Sequence, residues 1–361
     1  MKLLILTNFD VGLYQFRREL LKRLLAEGHQ VYIALPHGAL VRPLEEMGCV
    51  FLDTPLQRRG INPISDGKLL LRYRALLRQV KPDLVITYTI KPNVYGGMAC
   101  RLAGVPYAAN ITGLGTAFQK KGLLRALVTR LYRWGLKRAK VVFCENAANC
   151  QTLLEENVVR REQCCVLHGA GVNLTHYAPA EYPAESTVHF LFVGRVMREK
   201  GVESLLWAME RLHREGADCV LDVLGEFEEE SLRPAIECGA VEGWLHYHGY
   251  QADVRPFVAA SHCFVLPSWH EGMANTNLEC AAMARPLITS RIPGCMEAVE
   301  ENVSGFLCLP DDEQSLYDQM RRFLALSHEE RAAMGRAGRQ RMEAVFDKEK
   351  VVDATLEALG L

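Results

Sequence analysis

Apolar and polar positions along this chain fall into two alternating textures. Short runs of leucine and β-branched side chains at 3–7, 31–35, 84–88 and 141–144 predict strands. Between them, 13–26, 69–80 and 123–138 space apolar residues three and four apart, the period of an amphipathic helix. The rhythm then starts again: runs at 188–193, 219–224, 263–266 and 286–290 alternate with helical spacing over 202–214, 274–284 and 313–326. A strand–helix alternation repeated in this way predicts an α/β protein of two Rossmann-like, doubly wound parallel-sheet domains facing a cleft. Gly169-Ala170-Gly171-Val172-Asn173, followed by Pro179 and Pro183, marks the predicted hinge. The expected domains are 1–180 and 181–345, with a C-terminal helix at 346–361 packing back towards the first.

Composition narrows the setting. No apolar run approaches the roughly 18 residues that a membrane-spanning helix needs. The opening Met1-Lys2-Leu3-Leu4-Ile5-Leu6 meets Asn8 and Asp10 too soon for a secretory signal. A cytoplasmic protein is expected, and its 12 cysteines, which show no metal-ligand spacing, read as reduced thiols. The net charge of −1 conceals a division: residues 1–180 hold 25 Lys and Arg against 12 Asp and Glu, and the remainder holds 17 against 31. Either the two halves attract each other across the cleft, or the basic half meets an anionic partner.

Two segments carry candidate chemistry, and each lies where a predicted strand hands over to a helix. Gly194-Arg195-Val196-Met197-Arg198-Glu199-Lys200-Gly201 brings two cations, Arg195 and Lys200, and free backbone N–H groups to one strand end, a combination suited to a diphosphate. Glu271-Gly272-Met273-Ala274-Asn275-Thr276-Asn277-Leu278-Glu279 sets two carboxylates around a helix start. Gly272 gives a ligand close access to the backbone, and Asn275 or Thr276 is the expected N-cap. Glu279, about a turn into the helix, suits two neighbouring hydroxyls such as those of ribose, and Glu271 suits a sugar. Together the segments read as a sugar-nucleotide site. The chain has no Asp-x-Asp pair to hold a metal on the diphosphate, so cationic side chains are expected to do that work, with no metal required. Thr7-Asn8-Phe9-Asp10-Val11-Gly12 lacks the Gly-x-Gly-x-x-Gly fingerprint of nicotinamide and flavin sites, so no such cofactor is expected. Gly12 reads equally as clearance for a sugar or acceptor phosphate at the first helix or as a simple tight turn.

Residues 120–140 contain Lys120, Lys121, Arg125, Arg130, Arg133, Lys137, Arg138 and Lys140 and no acid. Arg130, Arg133, Lys137 and Lys140 follow 3-4-3 spacing on one helical face, and Leu124, Leu127, Leu131 and Trp134 fall on another. Two readings stand: a greasy side in the core with a basic side in water, or contact with anionic lipid. Arg17, Arg18, Lys22 and Arg23 add positive charge to the same domain, and Tyr132 and Trp134 suit a headgroup boundary.

Gly194-Arg195, Glu199-Lys200-Gly201, Pro267-Ser268-Trp269-His270-Glu271-Gly272, Leu278-Glu279-Cys280-Ala281 and Arg285-Pro286-Leu287-Ile288 together resemble glycosyltransferase family 4 over essentially the whole chain. These are retaining enzymes of the GT-B fold. The resemblance implies that Arg195 and Lys200 bind the donor diphosphate, that Glu271 contacts the donor sugar and that Glu279 holds the ribose hydroxyls. Gly194, Gly272, Met273, Ala274 and Asn275 complete the implied donor site. Tyr14-Gln15-Phe16-Arg17, Thr89-Ile90-Lys91-Pro92-Asn93-Val94-Tyr95-Gly96 and Asn110-Ile111-Thr112-Gly113-Leu114-Gly115 are similar to the branch that extends polyprenyl-diphosphate-linked saccharides, which includes undecaprenyl-diphosphate-linked α-1,3-N-acetylgalactosaminyltransferases. On that resemblance Gly12, Tyr14, Lys91, Asn93, Thr112 and Gly113 face the acceptor or the cleft.

Two departures stand out: the loop Thr112-Gly113-Leu114-Gly115 lacks a histidine that many relatives carry, and Arg285 occupies a position where glycine is usual before the proline. Arg285 is expected either to point outward or to disturb the local turn. The implied activity is transfer of an N-acetylhexosamine such as N-acetylgalactosamine from a UDP-sugar to a polyprenyl-linked acceptor, by a protein peripheral on the inner face of the plasma membrane. Its implied partners are the nucleotide sugar, the acceptor and anionic lipid, and no nucleic acid. An epimerase or hydrolase of the same fold, or a non-catalytic nucleotide-sugar binder, are the rival readings.

Overall fold

The structure, a computed structural model, describes residues 1–56, 60, 62–115, 118 and 122–361. Two compact units divide the chain: Met1–Ala170 with Glu349–Leu361, and Gly171–Lys348. The division falls at Ala170, inside the glycine-bearing segment, ten residues before the expected boundary at 180.

In the first unit seven parallel strands run β1 Lys2–Leu6, β2 Gln30–Leu35, β3 Val50–Asp53, β4 Leu84–Tyr88, β5 Tyr107–Ile111, β6 Val141–Cys144 and β7 Cys164–Val166. Their order across the sheet is β3-β2-β1-β4-β5-β6-β7. Leu3, Leu4, Ile5 and Leu6 are all fully buried because helices cover both faces. One face packs Tyr73, Leu76 and Tyr132, and the other packs Leu13, Leu20 and Leu24 together with Val351, Val352 and Leu356 from the C-terminal helix. Arg23 adds ion pairs to Glu349 at 2.9 Å and Asp353 at 3.1 Å.

In the second unit six parallel strands, β8 Val188–Val193, β9 Cys219–Leu224, β10 Leu245–Gly249, β11 Cys263–Leu266, β12 Leu287–Ser290 and β13 Gly305–Cys308, take the order β10-β9-β8-β11-β12-β13. Strand order reverses direction between β1 and β4 in the first sheet and between β8 and β11 in the second. Loops leaving the strands at such a switch point diverge to opposite faces and open a crevice. Gly194 to Lys200 leaves β8, and Glu271 follows β11, so both candidate segments of the second unit flank its switch point.

Among the described residues no helix is long and apolar enough to cross a membrane. All 12 cysteines are free; most are buried, and Cys238 is exposed.

Candidate active site

Backbone packing welds the two donor segments together. After β8 the chain pairs Val196 with Phe227, through Val196 N–H to Glu226 O at 2.8 Å, then makes a single 3₁₀ turn at Arg198–Lys200. Gly201 follows with φ +72°, a left-handed conformation that only glycine adopts cheaply, and begins the helix Val202–Arg214. It lies against Pro267: a Cβ on Gly201 would stand 2.1 Å from the Pro267 carbonyl oxygen. Trp269 N–H then donates to Glu199 O at 2.9 Å. Held in this way, Lys200 Nζ reaches Glu271 Oε1 at 2.5 Å, and Ser268 Oγ donates to the same oxygen at 2.9 Å. Lys200 and Glu271, expected separately to hold a diphosphate and a sugar, are therefore one ion pair, partly buried. Arg195 stands apart from it, half exposed, with Glu228 at 3.3 Å.

The loop 271–274 rests on Gly294, whose φ is +89° and whose missing Cβ leaves room for the carbonyls of Glu271 and Gly272. Ala274 N–H donates to Gly294 O at 2.7 Å. The helix Asn275–Ala282 begins here. Its N-cap is Ala274, with no side-chain hydrogen bond, which corrects the expectation that Asn275 or Thr276 would cap it. An uncapped start leaves its first amides directed at whatever approaches the loop, with the positive end of the helix dipole behind them. Asn275 Oδ1 is buried with no hydrogen-bond partner among the described residues. Met273 and Ala274 are buried and contribute backbone and wall.

Glu279 lies one turn into that helix. Burial pushes its carboxyl up to about 7, against the opposing pull of the Tyr177 hydroxyl and Lys348. Tyr177 and Lys348 were invisible to sequence reasoning, because they come from the hinge segment and the chain's last crossover. Gly294 was equally unforeseen, although Pro293-Gly294 after β12 is a turn signal that marks it.

Arg285 corrects the expectation of an outward-pointing or disruptive cation. It is fully buried and donates to the carbonyls of Val258 at 2.9 Å, Ala259 at 2.7 Å, Glu181 at 2.6 Å and Ala180 at 3.2 Å, with Met283 and Ala284 at 3.3 Å. Burial lowers its guanidinium to about 10. It serves as a hub that satisfies the end of the helix Arg255–Ala260 and the segment before β8.

In the first unit the predicted acceptor residues follow β1, β4 and β5, three adjacent strands at that unit's own switch point. Lys91 is pinned on Asp66 at 2.8 Å, beside Tyr95, whose hydroxyl donates to the other Asp66 oxygen at 3.0 Å. It borders a hollow of about 420 Å³ that Lys68 and Arg72 also line. Thr112 and Gly113 sit half-buried just past β5, and Tyr14 lies under the Arg18 guanidinium at 5.4 Å. Two expectations fail here. Asn93 is fully buried, accepts from Thr87 Oγ1 at 2.6 Å and donates to Asn110 O at 2.8 Å, so both ends of its amide are spent inside the fold. The space over Gly12 is filled by the Phe9 ring, 2.6 Å from where a Cβ would be, so this glycine accommodates its neighbour.

The basic stretch forms the helix Leu123–Leu136; Lys120 and Lys121 lie outside the described residues. Gly135 meets Val94 backbone and Gly97 meets Gly135 backbone, so the helix buries Val128, Tyr132, Gly135 and Leu136. Its other apolar face turns outward: Leu123 is 91% exposed, Leu124 53%, Leu127 45% and Trp134 47%. Arg130 lies over the Trp134 ring at 5.2 Å, and Lys137 is exposed beside it. Arg125 and Arg133 are held by Glu156, the first through its carboxylate at 2.6 Å and the second through its carbonyl at 2.5 Å. Tyr132 is in the core, which removes it from any headgroup contact. Arg17 is likewise buried against Glu145 and adds nothing to a basic surface.

The described geometry agrees with two family matches. Residues 187–325 match a model described as glycosyl transferases group 1, and residues 12–170 match one described as a glycosyl transferase 4-like domain. Among curated proteins, an N,N'-diacetylbacillosaminyl-diphospho-undecaprenol α-1,3-N-acetylgalactosaminyltransferase of Campylobacter jejuni is 24% identical over 89% of this chain and 88% of its own length. A UDP-Gal:α-D-GlcNAc-diphosphoundecaprenol α-1,3-galactosyltransferase of Escherichia coli is 28% identical over 74% of this chain and 72% of its own. Among solved structures, a glycosyltransferase from Rickettsia africae superposes with a TM-score of 0.83 at 19% identity, covering 99% of this chain and 97% of that one. Anabaena HepE in complex with UDP superposes with a TM-score of 0.82 at 17% identity, covering 100% of both chains. Two family matches that between them take in most of the chain, on a fold shared along its whole length, identify it as a family 4 glycosyltransferase of the GT-B fold.

Proposed function

We propose that the protein is a retaining, metal-independent transferase that moves an N-acetylhexosamine, such as N-acetylgalactosamine, from a UDP-sugar to a polyprenyl-diphosphate-linked saccharide in polysaccharide or glycan biosynthesis. The observation that carries the donor half is the Lys200–Glu271 pair at the mouth of an uncapped helix that also bears Glu279. An ammonium already held by one carboxylate keeps two further N–H donors for phosphate oxygens. The amides of the helix start supply the rest without rearrangement. Departure of the nucleoside diphosphate leaves an oxocarbenium-like sugar, and the charge that builds on the leaving group is met by Lys200 and Arg195. Such preorganised stabilisation is worth about 2 to 4 kcal/mol per donor in comparable sites. Glu271 positions the sugar, and the leaving phosphate itself takes the acceptor proton on the same face. Glu279, as a carboxylate, accepts from the ribose hydroxyls.

The acceptor is supported by the curated relatives, two of which are named for undecaprenyl-diphosphate-linked sugars. Association of the first unit with anionic lipid is supported by the outward stripe of Leu123, Leu124, Leu127 and Trp134, flanked by Arg130 and Lys137. Apolar side chains on the outer face of a basic helix are what an interfacial helix requires and what a helix merely covering a core lacks.

The test is a screen of nucleotide sugars against polyprenyl-diphosphate saccharides in detergent, read by mass. A product heavier by one N-acetylhexosamine, formed with a metal chelator present, is the expected result. Free sugar and UDP with no acceptor adduct across the panel would make the protein a hydrolase and sink the reading.

A further inference from the structure

The second sheet carries a group of side chains that the donor site does not use. Asp222 lies on β9 and His246 on the edge strand β10, paired in register. His248 is two residues on, along the same strand. The register slips between Tyr247 and Gly249, and this irregularity lets His248 converge on the same carboxylate as His246. His248 Nε2 is 2.7 Å from Asp222 Oδ1, and His246 Nδ1 is 3.3 Å from it. One ligand atom from each of Asp222, His246 and His248 lies within 4.8 Å of the other two. On the other carboxylate oxygen, Asp222 Oδ2, sits His189 Nδ1 at 2.8 Å. Glu185 and Asp218 add negative charge within electrostatic reach of His189.

We propose that Asp222, His246 and His248 bind one divalent first-row transition-metal ion of the zinc class, with His189 as the positioning residue that orients Asp222. Two imidazoles and a carboxylate are the donor set of such ions, whereas magnesium and calcium take oxygen almost throughout. Metal-bound carboxylates and imidazoles are characteristically fixed by a hydrogen bond from behind, and His189 occupies that place. The cluster is open on one side, since His246 is the most exposed of the four, which gives an ion its entry path. Its ligands belong to other strands than the candidate donor segments: Asp222 pairs with Leu191 on β8, two residues before Val193, and His246 and His248 lie one strand further out, on the edge strand β10. By bridging β9 and β10 the ion fastens the edge strand of the sheet.

The experiment uses the untagged full chain, freed of metal with a chelator and titrated with Zn²⁺ at neutral pH by calorimetry. One equivalent is expected to bind, with a rise in Tm, because an ion that binds only the folded state stabilises it. The double variant His246→Ala, His248→Ala is expected to bind at least about tenfold more weakly, the loss seen even for outer partners of metal sites. Co²⁺ in the wild-type protein is expected to give a spectrum of nitrogen and oxygen ligation without thiolate charge transfer, which sets this site apart from the free cysteines. UDP affinity of the double variant, expected to equal that of wild type, confirms that it is folded; should it fail, the exposed single variant His246→Gln replaces it. Equal Zn²⁺ affinity in wild type and variant, or a cobalt spectrum dominated by thiolate, overturns the proposal and leaves Asp222 a proton-bridged hub for three histidines.

Discussion

Gly201 lies so close to Pro267 that a Cβ on it would stand 2.1 Å from the Pro267 carbonyl oxygen, and its φ of +72° is one that alanine resists. Two segments far apart in sequence, one bearing Lys200 and the other Glu271, are joined at this contact. Gly201→Ala is expected to separate them. Strain of this kind costs on the order of 1–3 kcal/mol, so the variant should fold with a lower Tm and lose most of its UDP affinity. Calorimetry with UDP and a thermal melt check both; a variant with wild-type affinity would mean that the weld does not shape the site.

Glu279 is expected to give the proposed donor site a pH dependence of defined sign. Its carboxyl, raised to about 7 by burial, is increasingly protonated below that pH and loses acceptor capacity for two ribose hydroxyls. UDP affinity is therefore expected to rise with pH through about 7. Glu279→Gln should bind UDP more weakly with this dependence flattened. The empty protein is expected to show the opposite trend in stability: a carboxyl raised in the folded state contributes below its unfolded pKa, and that contribution is lost as pH rises through about 7. Calorimetry across pH 5 to 9 reads the first trend, and chemical unfolding of wild type against Glu279→Gln reads the second.

Arg285 satisfies six backbone carbonyls from one buried guanidinium. Arg285→Ala removes these bonds; Val258 O keeps Ser261 and Met283 O keeps the Ala180 N–H, but the others lose a charged donor, and a loss of about 3 kcal/mol or more of stability is expected. Arg285→Lys rescues little, because an ammonium has three donors and no fork. Urea unfolding midpoints decide the matter; a lysine variant as stable as wild type would show that charge alone was needed.

Leu127→Glu combined with Trp134→Ala removes apolar area from the outward face of the helix Leu123–Leu136 while sparing the buried Val128, Tyr132 and Leu136. Co-sedimentation with vesicles should rise with anionic lipid and fall with salt in the wild type. The double variant should bind several-fold less. Binding indifferent to lipid charge, to salt and to these substitutions would remove the membrane reading.

Much of the fold was legible because buried parallel strands are nearly pure apolar text: 188–193, 219–224 and 263–266 coincide with β8, β9 and β11. Among the described residues five strands were missed, β3, β5, β7, β10 and β13, of which β5 and β13 are fully buried but carry short or small-residue runs, Tyr107–Ile111 and Gly305–Cys308. In β10, Leu-His-Tyr-His-Gly gives up the apolar run because one side of an edge strand faces solvent, and β3 is short, with Val50 half exposed. Lys200 and Glu271 could be assigned to one site from sequence because each lies where a strand hands over to a helix, but their pairing with each other could not. What lay beyond reach was anything decided by chain crossings: Tyr177 and Lys348 reach Glu279 from the other end of the unit, and the Phe9 ring claims the space over Gly12. Asn93, placed at the cleft by the resemblance of its segment, is instead consumed inside the fold by Thr87 and Asn110.

In the proposed reaction Lys200 neutralises the departing diphosphate, and turnover of Lys200→Ala under saturating acceptor isolates that role. With UDP still bound and the fold intact, kcat/KM is expected to fall about 10²–10³-fold, the equivalent of roughly 2.7–4 kcal/mol of lost leaving-group stabilisation. Turnover equal to that of wild type would remove Lys200 from the leaving-group chemistry.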